Sequence, residues 1–110
     1  MKIIKISDYT NKTNGRFRDS GNYSGEWFLE DILWPILRDS EEKIEINFDN
    51  CEIHPAFLDS VFSILISKYK FTKTSEMLLF KCKDQNILME ILGIIIGAEY
   101  KTFGTVFTKI

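Results

Sequence analysis

The segment KIEINF (43–48) alternates apolar and polar residues without a break, with Ile44, Ile46 and Phe48 on one side and Glu45 and Asn47 on the other. A period of two is the signature of a strand with one face in a core. The segments on either side have a different period. GEWFLEDILWPILRDS (25–40) places apolar residues at 28/29, 32/33 and 36/37, and the stretch opened by Pro55 carries Phe57, Leu58, Val61, Phe62, Leu65 and Tyr69 in one stripe. Both read as amphipathic helices. A strand held between two helices on a short chain leaves few architectures open, and an α/β layer with at least some parallel pairing is the simplest.

The remaining segments extend the same alternation. MKIIKISDY opens the chain with Ile3, Ile4 and Ile6, a β-branched run that predicts a first strand, and a polar loop from Thr10 to Ser24 follows. Ser24 is placed to cap the first helix, Glu26 sits near its positive end, and Pro35 predicts a kink by removing one backbone donor. A polar linker (70–76) leads to MLLFKC (77–82), a third strand, after which Asp84 is placed to cap a helix through Ile87, Leu88, Ile91, Leu92 and Ile95. The tail from 102 to 110 has the β-branched and aromatic content of a last edge strand starting after Gly97 or Gly104, or of none. With 110 residues, all of this belongs to a single domain spanning 1–110.

Charge is distributed unevenly. The chain has a net charge of −2, but residues 1–18 carry +4, residues 19–59 carry −9 and residues 60–110 carry +3. Nothing in that total favours nucleic acid or an anionic membrane surface. Cys51 and Cys82, in a chain without a recognisable export signal, read as reduced thiols of a cytoplasmic protein. The longest apolar run, ILGIIIGA (91–98), is far shorter than the ~20 residues of a membrane crossing.

The combination of Gly15-Arg16, Ser24-Gly25-Glu26 at the helix start, Pro35 late in that helix, Phe48-Asp49 at the strand end and Phe57-Leu58-Asp59 opening the next helix resembles the STAS-like family of unknown function found in prokaryotes. The likeness covers residues 15–70 at motif level and the rest by element order. It implies a small STAS-like sandwich, a mixed central sheet with helices packed mainly on one side, as in anti-sigma-factor antagonists. It also implies a non-enzymatic, cofactor-free interaction and signalling module, whose protein partner would be a histidine-kinase-like ATPase docking at the strand-to-helix junction. By that resemblance, and with no assembled catalytic set in the sequence, a partner is expected to dock on the junction, with His54, Pro55, Phe57, Leu58 and Asp59 as the partner-binding residues, and on the loop from Arg16 to Gly25. The chain departs from the pattern where a phosphorylatable hydroxyl would sit, because IHPAFLD offers His54, Pro55 and Ala56 there, and Ser60 lies one turn further on.

Three other features carry alternatives. In GRFRDSGNYSG (15–25), Arg16 and Arg18 with Ser24 and Gly25 could form a clamp for a small anionic ligand or nucleotide, although the glycine spacing is that of neither a P-loop nor a dinucleotide fingerprint. The other reading is that these arginines brace the acidic middle of the chain. DNCEIH (49–54) gathers Asp49, Cys51, Glu52 and His54, but with one histidine in the chain it is half of a metal set, which predicts no metal; a Cys51–His54 nucleophile pair is the enzymatic alternative. The helix after Asp84 is apolar nearly all round and reads first as core; the alternative, since it carries more hydrophobic surface than one side of a sheet can cover, is that it also packs on a second copy of the chain as a homodimer or on a partner. Trp27 and Trp34, seven residues apart, are expected on one helix face as core anchors.

Overall fold

A computed structural model describes residues 1–71 and 74–103. Strand β1 (Lys2–Lys5) is followed by a 3₁₀ turn (Ile6–Asp8), the loop with a second 3₁₀ turn (Arg18–Ser20), and helix α1 (Gly25–Trp27), which passes through a π-helical turn (Phe28–Leu33) into α2 (Trp34–Asp39). Then come β2 (Ile44–Asn47), α3 (Pro55–Ser67), a short α4 (Thr74–Met77), β3 (Leu78–Lys81) and α5 (Gln85–Phe103).

The three strands form one sheet in the order β1-β2-β3, parallel throughout. The expected mixed sheet is therefore not seen among the described residues. Each strand is joined to the next by a helical crossover, and such a crossover delivers the chain back to the same end of the sheet. Both crossovers step the same way across the sheet, and connections of the usual right hand then put their helices on one face. Burial follows that rule. Ile4, Ile44, Ile46 and Leu78 face the core, while on the opposite face Ile3 and Leu79 are 54% and 38% exposed and Lys5 and Lys81 lie open. Parallel sheets are ordinarily covered on both sides; here no described residue covers the second.

The core is a single cluster in which the buried sheet face meets Phe28, Leu29, Leu33 and Leu37 from the first helix, Phe57, Leu58, Val61, Phe62, Leu65 and Ile66 from α3, and Ile91 and Ile95 from α5. α3 lies centrally, packed on α1 and on α5. Asp84 caps α5 as its position predicts, its carboxylate accepting from the Asn86 amide at 2.9 Å. α5 continues through Gly97 to Phe103, so no strand begins after Gly97, and the other expected start, after Gly104, lies outside the described residues.

Pro35 acts differently from a simple kink. The turn before it is widened to π geometry, with the Trp34 amide reaching back to the Leu29 carbonyl. Widening the turn relieves the crowding that the proline ring imposes on the preceding turn. The extra residue also shifts the helical phase, which separates the two tryptophans. Trp27 meets Tyr9 and Tyr23, whereas Trp34 stacks on Tyr69 with ring centroids 4.6 Å apart and meets Phe71 edge-on. Both are half-buried against the core, in separate aromatic clusters.

Candidate functional site

The loop from Thr10 to Ser24 lies at the end of the sheet where β1 and β2 finish, and backbone hydrogen bonds hold it there. Lys12 bridges Glu52 as in a parallel ladder, the Thr13 amide donates to the Glu52 carbonyl at 2.9 Å, and the Glu52 amide donates to Asn11 O at 2.9 Å. Thr13 is 1% exposed, and its hydroxyl accepts from the His54 amide at 2.9 Å while donating to Glu52 O at 3.4 Å. Further along, Asn14 and Tyr23 close a second ring. The Asn14 amide donates to Tyr23 O, and the Tyr23 amide donates to Asn14 Oδ1, both at 2.8 Å.

The start of the first helix is closed in the same way. A new helix leaves its first amides without partners. Here the Gly25 amide donates to Gly15 O at 2.9 Å, the Glu26 amide to Arg16 O at 3.0 Å and the Trp27 amide to Ser24 Oγ at 3.1 Å. Ser24 and Gly25 are themselves buried. Gly25 sits so tightly on α3 that a Cβ would overlap Ser60 Oγ and come within 2.8 Å of the Phe57 carbonyl oxygen. Ser60, fully buried, donates to Arg16 O at 3.2 Å. A hydroxyl so enclosed is a packing and hydrogen-bonding element and is no surface for modification.

The residues of the expected anion clamp, Arg16, Arg18, Ser24 and Gly25, are each engaged within the chain. The amides that would hold an anion are taken by loop carbonyls, and the two guanidinium groups diverge. Arg16 pairs with Asp59 on α3, while Arg18 bonds Asp31 at 3.0 Å and Glu30 at 3.3 Å on the first helix. The hydrogen bond to Asp31 raises the Arg18 guanidinium above its already high ordinary value and holds the Asp31 carboxyl below its own. The arginines brace the acidic middle of the chain. Exposed pairs of this kind orient the loop more than they stabilise it.

The residues expected to meet a partner divide by burial. Phe57 and Leu58 are each 1% exposed, and Phe57 packs on Phe28 with centroids 5.5 Å apart, so both belong to the core and not to a docking surface. Their place in the apolar stripe of α3 decides this, because a helix entering the sheet's edge turns its first apolar residues inward. His54 and Pro55 are exposed and Asp59 is half-exposed. His54 caps α3 through Nδ1, which accepts from the Ala56 amide at 3.0 Å. That engages one of the two nitrogens a nucleophile pair would use. Burial pushes the Cys51 thiol up, the opposite of the shift an activated thiolate needs. Among the described residues no three His, Cys, Asp or Glu side chains come together as metal ligands, and no helix is long and apolar enough to cross a membrane.

What sequence reading missed at this end of the molecule is a set of exposed aromatics. Tyr9, Phe17 and Tyr23 are 42%, 50% and 36% exposed, and the two tyrosines stand edge-on against Trp27 at 5.6 and 5.3 Å. Scattered singly through the sequence, they show no period; only the fold brings the two tyrosines together on Trp27. The hydrogen bonds from the Tyr23 amide to Asn14, and from the His54 amide to the adjoining Thr13, tie the loop at Tyr23 to the chain at His54. Phe17, on the other flank, overhangs a groove of about 190 Å³ that it shares with Glu26, Leu29, Glu30, Ile64 and Lys68. Comparison of the chain with protein-family models, with curated proteins and with solved structures finds no match in any of the three.

Proposed function

We propose that this chain is a cytoplasmic, non-enzymatic STAS-like interaction module, which meets a protein partner through the face made by the Thr10–Ser24 loop and the start of α3. One observation carries the reading. An end of the sheet whose helix amides and arginines are occupied by the chain itself still exposes Tyr9 and Tyr23 together on Trp27, at a loop bonded to His54, with Phe17 on the other flank. Tyrosine and tryptophan supply large, rigid contact area with a polar edge, and they are the residues enriched where proteins bind proteins. The resemblance to STAS-like sequences supports the same end of the sheet and suggests a histidine-kinase-like ATPase as the partner. His54, Pro55 and Asp59 remain in the proposed surface, and Phe57 and Leu58 support it from beneath.

The test is affinity purification from the native cell with the unmodified chain and with a Tyr9→Ser, Tyr23→Ser variant of the same circular dichroism spectrum. Loss with the variant of a protein that the unmodified chain retains, a histidine-kinase-like ATPase above all, supports the reading. An identical set of retained proteins refutes the surface.

A further inference from the structure

We propose that the groove beside Phe17 is a receptor for one arginine side chain carried by the protein partner, an inference that rests on the interaction reading above. The groove, of about 190 Å³, is lined from the loop by Phe17, from the first helix by Glu26, Leu29 and Glu30, and from α3 and its end by Ile64 and Lys68. Leu29 and Ile64 make part of the lining apolar, the Phe17 ring is half-exposed above it, and two carboxylates stand at its side.

The carboxylates are not all matched by the chain's own cations. Arg18 and Lys68 serve three of them, Glu26, Glu30 and Asp31, so one negative charge is in excess. The Arg18 amide donates to Glu26 Oε1 at 2.9 Å, and its guanidinium to Glu30 Oε1 at 3.3 Å. Oε2 of both glutamates has no hydrogen bond among the described residues; Lys68 Nζ stands 3.8 Å from that of Glu30, too far to make one. Arg18 is itself committed to Asp31 through two bonds, at 3.0 and 3.2 Å. Like charges four residues apart on a helix repel, and a cation bound at both would remove that repulsion.

Among the cations a protein partner can offer, a guanidinium matches this lining best. Its planar fork of donors suits carboxylate oxygens, and its flat face stacks on an aromatic ring, which Phe17 supplies. The methylene stem that carries it can lie along apolar side chains, here Leu29 and Ile64. A lysine ammonium has the charge but neither the plane nor the fork.

The probe is N-acetyl-arginine methylamide, titrated into the ¹⁵N-labelled full chain at constant ionic strength. The citrulline analogue serves as its uncharged isostere and the lysine analogue as the second cation. A single side chain binds weakly, with a Kd on the order of 1–10 mM. The expected result is saturable movement of the Phe17, Glu26, Glu30 and Ile64 amide signals with the arginine probe, binding at least about threefold weaker for the lysine probe, and no such movement with citrulline. Glu26→Gln with Glu30→Gln should weaken the arginine probe at least about tenfold, and Phe17→Ser, which changes an exposed residue outside the ion pairs, at least about threefold. An arginine probe that moves none of these signals, or moves them no more than citrulline does, overturns the proposal. So does undiminished affinity in the double variant or in Phe17→Ser. A lysine probe that binds as tightly as arginine overturns the choice of guanidinium. The probe contains no partner, so a failure here strikes the groove alone, while Tyr9 and Tyr23 are tested separately by the affinity purification.

Discussion

Replacing Gly25 by alanine tests the tightest contact in the molecule. At the first position of an open helix the change would be mildly favourable, by about 0.5–1 kcal/mol, because glycine is the more flexible residue in the unfolded chain. Here the added methyl group overlaps Ser60 Oγ and crowds the Phe57 carbonyl at 2.8 Å and Ser60 Cβ at 3.1 Å. A side-chain oxygen can rotate, but a helix carbonyl cannot, so α1 and α3 must separate. Overpacking of this kind costs about 1–3 kcal/mol. If Ser60 rotates to make room, its hydrogen bond to Arg16 O is lost as well, leaving a buried hydroxyl unpaired at a further ~1–3 kcal/mol. With the propensity gain subtracted, a net loss of about 1–5 kcal/mol is expected. Urea denaturation should show a lower midpoint with an unchanged slope. Ser60→Ala alone should cost about 1 kcal/mol. The double variant should cost less than the sum of the two singles, because the worst overlap is gone while the Phe57 carbonyl remains. A Gly25→Ala protein as stable as the parent, or more stable, would show that the two helices are not locked together as described.

Thr13→Val keeps the shape of a buried residue but removes both of its hydrogen bonds, so it should destabilise the chain by about 2 kcal/mol where Thr13→Ser is close to neutral; thermal melts of the two variants compare them. Asp31 is held below the usual carboxylate range by Arg18, so its contribution is complete at neutral pH and is lost as pH falls from about 4 through the lowered value. The melting-temperature gap between the parent and Asp31→Asn should therefore be present at pH 7, close in acid and shrink in high salt; a gap that widens in acid contradicts the assigned pair. Lys70 has a positive φ of 56°, which a side chain tolerates poorly, and Lys70→Gly should raise stability by about 0.5–1 kcal/mol in the same melts.

The elements were readable because their periods are strong. KIEINF could bury only one face, the stripe from Val61 to Leu65 turned inward as its period requires, and Asp84 had a helix to cap. The +4 and −9 segments foretold that the arginines would turn onto the chain's own acids, and Arg16 with Asp59 and Arg18 with Asp31 do so. What escaped reading depends on partners distant in sequence. Thr13 and Ser60 look like surface hydroxyls until Glu52 and Arg16, 39 and 44 residues away, are seen to enclose them. The π turn required knowing how the chain would accommodate Pro35, and with it went the assumption that Trp27 and Trp34 share a face. Phe57 and Leu58 fitted both a core stripe and a family junction, and apolar burial decided between the two. The aromatic part of the candidate surface was invisible, because Tyr9, Phe17 and Tyr23 have no pattern until hydrogen bonds fold the loop onto the sheet.

Those same bonds bear on how the chain folds as it is made. The Thr10–Ser24 loop leans on Glu52, His54 and Ser60, and β1 must find its parallel partner β2 about 40 residues later in the sequence. Local bonds such as those between Asn14 and Tyr23 close the loop on itself, but its attachment to the sheet and to α3 is of the long-range kind that slows folding. At synthesis rates of 5–20 residues per second, the 44 residues between Arg16 and Ser60 correspond to a wait of roughly 2–9 s. β1 and the loop, made before β2 and α3, are thus ordered only once those have followed, and during that interval the isoleucines of β1 are exposed, at the stage where a nascent chain of this design is most open to chaperones or to misassembly.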